Sequence, residues 1–356
     1  MTPINKLGHA GGVNIKTILI TGGAGFIGSN FVKYIFDNYT GCHIIVLDAL
    51  TYAGNIENIP QNIKNDKRFS FWYGNIRNGE LVGELVSKAD TVVHFAAESH
   101  VARSIFDNTV FFETDVLGTQ VITNAVLKYQ DSIERFIHIS TSEVYGTALS
   151  SPMTEDHPLN PPSPYAAAKA GADRLVYSYW STYNIPAIII RPFNMYGPNQ
   201  HLEKAIPRFI TSALLDEPLT IHGTGANTRD WTYVTDLCIA LDNVLQSSID
   251  KVRGQVFNIG SGKDVSIKKI AALIIEKLNK PKSLITHIGD RPGQVIRHIA
   301  STAKASETIG WKPTVEFDDG LARTIEWYRH NRDWWVKQLW MRHVPIKTRD
   351  GRIEYH

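Results

Sequence analysis

The stretch Thr21-Gly22-Gly23-Ala24-Gly25-Phe26-Ile27-Gly28 decides the fold of this 356-residue chain. It directly follows a short apolar run, Thr17-Ile18-Leu19-Ile20, which is typical of a buried β-strand. Apolar residues then recur at every fourth position, Ile27, Phe31 and Ile35, which predicts a helix. Glycines between a strand and a helix permit a tight turn and let a pyrophosphate approach the backbone at the helix N-terminus. The stretch therefore predicts a dinucleotide-binding α/β domain.

The carboxylate at the end of the next predicted strand indicates which dinucleotide binds. Asp48 closes the apolar run His43-Ile44-Ile45-Val46-Leu47-Asp48 and follows Gly28 by 20 residues. A carboxylate at this spacing suits ribose hydroxyls and repels a 2′-phosphate, which favours NAD over NADP. The alternative is a purely structural turn in which Asp48 is an N-capping residue. NAD is the expected cofactor.

Apolar runs and helical stretches alternate through the first half of the chain. Further predicted strands are Thr91-Val92-Val93-His94-Phe95, Arg135-Phe136-Ile137-His138-Ile139-Ser140 and Ala187-Ile188-Ile189-Ile190-Arg191. The main helical stretches span residues 114–129 and 165–183. Strands rich in Ile and Val that alternate with helices predict a Rossmann-type, doubly wound parallel sheet covered on both faces.

The amino-acid composition and the length of the apolar segments change at about residue 192. Beyond this point Pro and Gly are frequent and the apolar segments are short, which predicts a smaller, mainly α C-terminal substrate lobe. We expect a flexible N-terminal extension at residues 1–16, an NAD-binding Rossmann domain at 17–191 and the substrate lobe at 192–356. A few segments of the lobe, such as Val256-Phe257-Asn258-Ile259, are expected to return to the first sheet.

Composition argues against several other classes of protein. The chain has 37 basic and 35 acidic residues, a net charge of +2, which gives no support for a nucleic-acid or membrane-surface partner. Its two cysteines, Cys42 and Cys238, indicate neither a disulfide framework nor a metal site. No window approaches the ~18 apolar residues of a membrane span, and the first 16 residues lack a signal-peptide core. We expect a cytoplasmic protein without a metal.

A tyrosine and a lysine at helical spacing form the first candidate catalytic pair. The stretch Ser163-Pro164-Tyr165-Ala166-Ala167-Ala168-Lys169 predicts a helix start, so Tyr165 and Lys169 share one face. An unperturbed tyrosine has a pKa of roughly 10, and a nearby ammonium, helped by a bound nicotinamide cation, is expected to lower it. Tyr165 is therefore the predicted base that takes a hydroxyl proton while hydride leaves the same carbon. The alternative is an exposed Tyr and Lys on an ordinary amphipathic helix.

A polar triplet follows the predicted strand that ends at Ser140. Because the carboxyl ends of parallel strands border the ligand crevice, Thr141, Ser142 and Glu143 are expected near the substrate. Glu143 is a candidate base for a proton α to a ketone, once oxidation has made one. The alternative is a solvated loop carboxylate.

With these motifs the chain resembles the extended short-chain dehydrogenase/reductase family. Within that family it is most similar to the nucleoside-diphosphate-hexose 4,6-dehydratases, and among these to the dTDP-glucose 4,6-dehydratases, from Lys16 to about Trp335. The matching stretches are residues 48–55, 94–101, 191–198, 203–207, 228–234 and 290–293. Of these, Leu50 to Asn55 and Glu98 to Val101 are specific to the dehydratase branch.

The resemblance implies a complete reaction cycle. NAD takes a hydride from C4 of the sugar, Tyr165 acts as base and Thr141 hydrogen-bonds the C4 oxygen. Glu143 then removes the C5 proton, water leaves C6, and the hydride returns to C6 to give a 4-keto-6-deoxy sugar. NAD is regenerated in each turnover. The resemblance also implies a homodimer.

The motifs and the resemblance together predict two sets of binding residues. The residues expected to hold NAD are Gly22, Gly25, Phe26, Ile27, Gly28, Asp48, Leu50, Thr51, Asn75, Ile76, Ala96, Ala97, Ser99, Thr114, Tyr165 and Lys169. The residues expected to hold a nucleoside-diphosphate sugar are His100, Asn194, Lys204, Ile206, Pro207, Ile221, Arg229, Asn258 and Arg291. Arg229 suits this role because a guanidinium binds phosphate oxygens in a forked geometry.

The sequence departs from the dTDP-glucose pattern at Ser142. The enzymes it resembles carry an Asp there, which protonates the departing C6 hydroxyl. A serine hydroxyl is too weak an acid to do so unaided, although it could relay a proton or hold a water. Further departures are Asn75, Ala102, Gln294 and His298.

The departure at Ser142 leaves three functions open. A Thr-Ser-Glu triplet also resembles the GDP-mannose 4,6-dehydratases, which eliminate water. It equally resembles the UDP-glucuronate decarboxylases, in which the 4-ketone lets a C5 carboxylate leave as CO₂. The 4,6-dehydratase is the favoured function, a nucleotide-sugar decarboxylase or 4-epimerase is the alternative, and a non-catalytic NAD-binding protein is disfavoured because both Tyr165 and Lys169 are present.

Overall fold

A computed structural model describes residues 15–289, 295, 297–342, 344–347 and 352–355. Its strands are β1 (Thr17–Thr21), β2 (His43–Asp48), β3 (Phe69–Tyr73), β4 (Thr91–His94), β5 (Arg135–Ile139), β6 (Ala187–Pro192), β7 (Asn194–Tyr196), β8 (Leu219–His222), β9 (Thr228–Tyr233), β10 (Val256–Ile259), β11 (Asp264–Ser266), β12 (Ile285–Ile288), β13 (Pro345–Lys347) and β14 (Ile353–Tyr355).

The α-helices are α1 (Phe26–Asn38), α2 (Gln61–Lys64), α3 (Gly79–Val86), α4 (Val101–Phe106), α5 (Thr109–Phe111), α6 (Thr119–Lys128), α7 (Pro164–Tyr183), α8 (Ala205–Leu214), α9 (Val234–Gln246), α10 (Ile249–Val252), α11 (Ile267–Lys277), α12 (Ala303–Ile309), α13 (Phe317–His330) and α14 (Arg332–Val336). A π-helix, Phe112–Gly118, joins α5 to α6. Short 3₁₀ turns lie at Ile56–Asn58, Ser142–Tyr145, Lys282–Leu284 and Leu339–Arg342. None of the helices in the described ranges is long and apolar enough to cross a bilayer.

Seven parallel strands form the central sheet in the order β10-β6-β5-β4-β1-β2-β3. Alternation along each strand builds an apolar layer on both faces, since Ile18 and Ile20 point to one layer and Leu19 to the other. Helices α1, α9 and α12 cover the first layer, and α3, α6 and α7 cover the second. The predicted Rossmann-type doubly wound sheet is therefore confirmed.

The strand order fixes where a ligand crevice opens. The chain winds from β1 through β2 to β3 in one direction, and β4, β5, β6 and β10 continue in the other. In open α/β sheets of this kind, ligands bind outside the carboxyl ends of the strands where the winding reverses. That point lies between β1 and β4, where the glycine stretch begins.

The substrate lobe is mainly α, as expected, and it also contains short strands that the sequence did not predict. Helices α8, α11 and α13 share an apolar core with two small sheets, β7-β9-β11 and β8-β12. These strands have three to six residues, too few for a clear alternating pattern in the sequence.

Several segments cross between the two parts of the chain. Residues 256–259 form β10 at the edge of the central sheet, beside β6. At the N-terminus, Ile15 is buried in the first apolar layer, so the folded domain begins before the end of the extension expected at residues 1–16. The rest of that extension, residues 1–14, lies outside the described residues.

Candidate active site

A cleft of about 460 Å³ lies along the carboxyl ends of the central strands and continues between the sheet and the substrate lobe. Four of the predicted catalytic residues, Thr141, Glu143, Tyr165 and Lys169, line it together with the glycine stretch. Residues far apart in sequence therefore meet at the position that the strand order indicates.

The glycines allow backbone segments to approach each other closely, Gly22 to Ala96 and Gly28 to Gly22. Gly22 has a φ of +70°, and a Cβ there would lie 2.6 Å from the backbone nitrogen of Ala96. A Cβ on Gly28 would lie 2.2 Å from the carbonyl oxygen of Gly22. Helix α1 begins at Phe26 without a side-chain cap, so its first N–H groups remain for a ligand at the cleft wall. This geometry fits a pyrophosphate.

Asp48 lies in the cleft with its carboxylate held by backbone. Its two oxygens accept hydrogen bonds from the N–H groups of Ala24 at 2.9 Å and Leu50 at 2.8 Å. Burial raises the pKa of Asp48, and the two N–H bonds oppose that rise. The carboxylate both orders the turn and borders the cleft, as expected of a group that binds ribose hydroxyls.

Most other residues predicted to hold NAD lie on the cleft wall. These are Gly25, Phe26, Ile27, Thr51, Asn75, Ile76, Ala96, Ala97, Ser99 and Thr114. Leu50 does not lie there; its backbone N–H bonds Asp48, and its φ is +47°. The residues present therefore fit a dinucleotide along the glycine stretch.

Tyr165 is buried beside Thr141, and the two hydroxyls are hydrogen-bonded. Burial raises the pKa of Tyr165, the Thr141 bond lowers it, and the carboxylates of Asp115 and Glu143 raise it further. The expectation that Lys169 lowers this pKa is not met by the protein alone. Lys169 donates from Nζ to the carbonyl oxygen of Ile139 at 2.8 Å, and its charge interacts with buried carboxylates instead.

Asp115 is a site residue that the sequence reasoning missed. It lies in the π-helix, is 1% exposed, and accepts a hydrogen bond from the N–H of Glu98 at 2.7 Å. Burial raises the pKa of Asp115, and the ammonium of Lys169 opposes that rise. Its only signal in the sequence is an acidic residue inside a helical segment that is otherwise apolar on one face. Asp115 therefore links the backbone of Glu98, in the loop from Ala96 to Ser99, to the ammonium of Lys169.

Ser142 does not lie on the cleft wall, contrary to the expectation that all of the triplet faces the substrate. Its hydroxyl is 3.5 Å from Nδ1 of the buried His298, whose Nε2 is 2.5 Å from the carbonyl oxygen of Gly146. A carbonyl only accepts, so Nε2 carries the proton and Nδ1 accepts from Ser142. The Ser142 proton is thereby directed away from the cleft.

Asn258 is also placed differently from the prediction that it contacts substrate. Its side chain is fully buried, accepts a hydrogen bond from the Tyr145 hydroxyl at 2.7 Å and donates to the carbonyl oxygen of Met153 at 3.1 Å. Both polar atoms are used within the protein, so Asn258 stabilises the turn after β5 instead of binding a ligand.

The remaining predicted substrate residues divide into two groups. His100, Asn194, Lys204 and Arg229 line the cleft. Ile206, Pro207 and Ile221 are buried beside it, and their neighbours Ala205, Thr220 and His222 lie on the wall. Arg291 lies outside the described residues.

A cluster of charges at the lobe side of the cleft was not predicted as a unit. Glu203 accepts a hydrogen bond from Nε of Arg103 at 3.1 Å and lies 3.6 Å from the ammonium of Lys204. Burial favours a raised pKa, but the electrostatic interactions of Glu203 with His100, Lys204, His201 and Arg103 hold its pKa at about 2. This cluster keeps Lys204 at the wall, where its Nζ also donates to the carbonyl oxygen of Ser99 at 2.6 Å.

Known proteins share this arrangement over almost their whole length. The family model for GDP-mannose 4,6-dehydratase matches residues 19–324. The chain is 45% identical to the low-salt glycan biosynthesis protein Agl12 of Haloferax volcanii, over 87% of this chain and 98% of that protein. It is 40% identical to a dTDP-glucose 4,6-dehydratase of an Actinoplanes species, over 90% and 99% respectively. The crystal structure of DesIV, a dTDP-glucose 4,6-dehydratase from Streptomyces venezuelae with NAD bound, matches with a TM-score of 0.86 at 40% identity, over 90% and 99%.

The fold and the cleft define a short-chain dehydrogenase/reductase that acts on nucleotide sugars. The chain belongs to the GDP-mannose 4,6-dehydratase family. The predicted class, an NAD-dependent nucleotide-sugar 4,6-dehydratase and thus a hydro-lyase, is confirmed in preference to the decarboxylase or epimerase. The roles of individual residues stay predictions.

Replacement of Gly28 by Ala tests the cofactor cradle. The added Cβ meets the Gly22 carbonyl at 2.2 Å. Overpacking of this kind costs about 1–3 kcal/mol, and if that cost falls on the cofactor complex, NAD affinity drops by roughly 5- to 150-fold. NAD titration followed by protein fluorescence measures the change. Gly83→Ala is the matched control because a Cβ there meets nothing within 4 Å. Equal NAD affinity in the two variants would contradict the assignment.

Proposed function

We propose that this enzyme converts a nucleoside-diphosphate hexose, with dTDP-glucose as the preferred substrate, into the 4-keto-6-deoxy sugar nucleotide. The observation that carries the proposal is the convergence of Thr141, Glu143, Tyr165 and Lys169 on the cleft that contains the glycine stretch. The thymidine nucleotide is chosen because several curated relatives at 39–40% identity are dTDP-glucose 4,6-dehydratases.

The cleft residues that would hold the cofactor are the glycine stretch at the pyrophosphate and Asp48 at a ribose. When bound, NAD supplies a positively charged nicotinamide ring, accepts hydride from C4 of the sugar and returns it to C6. The protein itself has to position the sugar and to move protons at C4, C5 and the C6 oxygen.

Tyr165 is the residue placed to take the proton of the C4 hydroxyl. Thr141, already hydrogen-bonded to the Tyr165 hydroxyl, is placed to bind the same C4 oxygen. Because burial raises the pKa of Tyr165, its phenolate requires positive charge nearby, which the nicotinamide ring of bound NAD would supply. In the protein alone the ammonium of Lys169, one helical turn away, interacts with the carboxylates of Asp115 and Asp173. The low-dielectric surroundings strengthen that interaction.

Glu143 is the member of the triplet placed to act at C5. A 4-ketone acidifies the C5 proton, which moves to the Glu143 carboxylate. Since Ser142 is turned towards His298, we assign the return of that proton to Glu143 as well. The C6–O bond breaks, the leaving oxygen takes the proton from Glu143, and the products are water and an unsaturated ketone. The Glu143 carboxylate is thereby restored. Addition of hydride to C6 then gives an enolate, which takes a proton from water at C5, while Tyr165 releases the C4 hydroxyl proton to water, so that both residues return to their starting states.

Anionic parts of the substrate face the lobe. Lys204, Arg208 and Arg229 line the cleft on this side and suit a diphosphate, with Arg229 able to bind in a forked geometry. The sugar then extends towards Tyr165 and Glu143 at the sheet.

Incubation with dTDP-glucose, GDP-mannose and UDP-glucuronate, followed by mass analysis of the products, tests the activity. We expect a product lighter by one water from dTDP-glucose. Tyr165→Phe should lower kcat by about 10²–10⁴-fold while NAD stays bound, whereas the exposed Tyr73→Phe serves as control. Release of CO₂ from UDP-glucuronate, or a product of unchanged mass, would overturn the proposal in favour of the decarboxylase or the epimerase.

Separate replacement of the two triplet residues tests which one handles protons. General acid–base groups contribute about 10²–10⁴-fold, so Glu143→Gln should lose at least that factor in dehydration. Ser142→Ala should retain activity within about tenfold, because its hydroxyl faces His298 and not the cleft. Both are measured by formation of the 4-keto product. If Ser142→Ala loses as much as Glu143→Gln, Ser142 takes part in the proton transfer.

We also propose a homodimer. Exposed large apolar side chains lie on α4, α5, the adjoining π-helix and the neighbouring α7, namely Phe106, Val110, Phe112, Leu117, Tyr177 and Tyr183. Apolar surface of this extent commonly marks an interface, and a two-fold pairing covers the same face on both copies.

Light scattering after gel filtration should therefore give twice the mass of one chain. Leu117→Glu should shift the protein to the monomer, since it places a charge in the apolar face. Leu149→Glu, equally apolar in the parent and exposed away from this face, is the control. A monomeric parent protein would contradict the proposal.

A cytoplasmic location is proposed on the state of the cysteines. Cys42 and Cys238 are both buried free thiols, which suits a reducing compartment.

A further inference from the structure

The C-terminal part of the chain extends beyond the family match. The family model ends at residue 324, so the 32 residues that follow lie outside it. We call residues 337–342 and 344–347 the C-terminal strap. It begins directly after α14, contains the 3₁₀ turn Leu339–Arg342 and ends with β13.

The strap starts on the Rossmann side of the molecule. Lys337 pairs with Glu57 at 3.1 Å. Just before it, the indole N–H of Trp334 donates to Oδ1 of Asn58 at 2.9 Å. Both partners belong to the loop after β2, which follows Asp48. The strap is therefore anchored beside the cofactor end of the cleft.

The strap then crosses to the substrate lobe and back. The sulfur of Met341 lies 3.3 Å from Nε2 of His201. Arg342 donates to Oγ of Ser212 at 3.3 Å and pairs with Glu217, both at the end of α8. Val344 packs against Ala102, and β13 lies along α4. Contacts to both sides mean that the strap spans the cleft.

Two strap residues form part of the cleft wall. Arg342 and Val344 line the cleft and are only 6% and 3% exposed. Ser212, which binds Arg342, is one helical turn after Arg208 on α8, so the Arg342 guanidinium lies on the same face of α8 as a wall cation. Arg342, which is paired with Glu217, therefore joins Lys204 and Arg208 as a basic side chain on this part of the cleft wall.

We propose that the strap is a specificity-determining wall that closes over the nucleoside-diphosphate half of the substrate, with Arg342 and Val344 as the residues facing it. The inference rests on the proposed function for the identity of that ligand. The contacts of Arg342 and Val344 described above involve Ser212, Glu217 and Ala102 and neither Tyr165 nor Glu143. The strap strengthens the binding of substrate and transition state equally, which lowers KM and leaves kcat unchanged.

Removal of residues 337–356 tests the strap. The truncated enzyme keeps the buried Trp335 and every segment within the family match. Its Kd for dTDP by calorimetry and its KM for dTDP-glucose should both rise by about tenfold or more, with kcat within about twofold. The ratios of the Kd values for UDP and GDP to the Kd for dTDP should become smaller in the same titrations.

Point variants in the full chain keep the test valid if truncation impairs folding. Arg342→Met and Val344→Asp should each raise Kd and KM in the same direction, and Arg342→Lys should recover part of the loss. Arg329→Met is the matched control, because Arg329 is exposed and pairs with Glu326 on α13, away from the cleft.

The outcomes separate this inference from the proposed function. A lower melting temperature with unchanged Kd and KM makes the strap a structural brace and overturns the inference, as does a fall in kcat at constant KM. If no sugar nucleotide is turned over but dTDP binding still depends on the strap, the proposed reaction fails and the inference stands. If dTDP-glucose is turned over but removal of the strap changes neither Kd nor KM, the proposed reaction stands and the inference about the strap fails.

Discussion

The buried ion pair between Asp173 and Arg191 supports the rest of the catalytic structure. Nε and Nη2 of Arg191 donate to the two carboxylate oxygens of Asp173, each at 2.9 Å, and both side chains are almost completely buried. The guanidinium and its hydrogen bonds hold the pKa of Asp173 well below its usual range, although burial alone favours a rise. Two charges withdrawn from water are tolerated only when their hydrogen bonds are satisfied, and this forked geometry does so. The pair thereby fixes α7 to β6, and with it the positions of Tyr165 and Lys169, the residues proposed to act at C4.

The ion pair also positions residues of the site indirectly, because Asp173 shares a face of α7 with two of them and Arg191 makes a further hydrogen bond. Tyr165, Lys169 and Asp173 follow one another at intervals of four residues, so base, ammonium and anchor share one helix face. Arg191 also donates from Nη1 to the Tyr145 hydroxyl at 2.8 Å. Tyr145 closes the 3₁₀ turn that contains Glu143. The groups assigned to C4 and to C5 are thus held by the same guanidinium, which keeps their separation constant during two successive proton transfers.

Local patterns explain why much of this was predictable from the sequence. The glycine stretch, Asp48 and the Tyr165–Lys169 spacing are each contained within a few residues, and apolar runs mark the buried strands. The direction of a side chain that follows a strand depends instead on partners that are distant in the sequence. Ser142 points away from the cleft because His298, more than 150 residues later, offers Nδ1, and Asn258 is used by Tyr145 and Met153. Asp115 was missed because its partners, Glu98 and Lys169, come from other segments.

The two halves of the cleft also differ in how far local sequence patterns predict them. The sheet side is built from segments inside the family match, and its chemistry follows from motifs that a sequence displays. The lobe side depends on charges that meet only in the fold: Glu203 with Arg103 and Lys204, and Arg342 with Ser212 and Glu217. A buried carboxylate such as Glu203 remains ionised only while those cations surround it, so substitutions there alter several contacts at once. On the assignments proposed above, the type of reaction depends on the sheet side of the cleft and the choice of nucleotide on the lobe and the strap, so the nucleotide preference can change without disturbing the groups assigned to proton transfer.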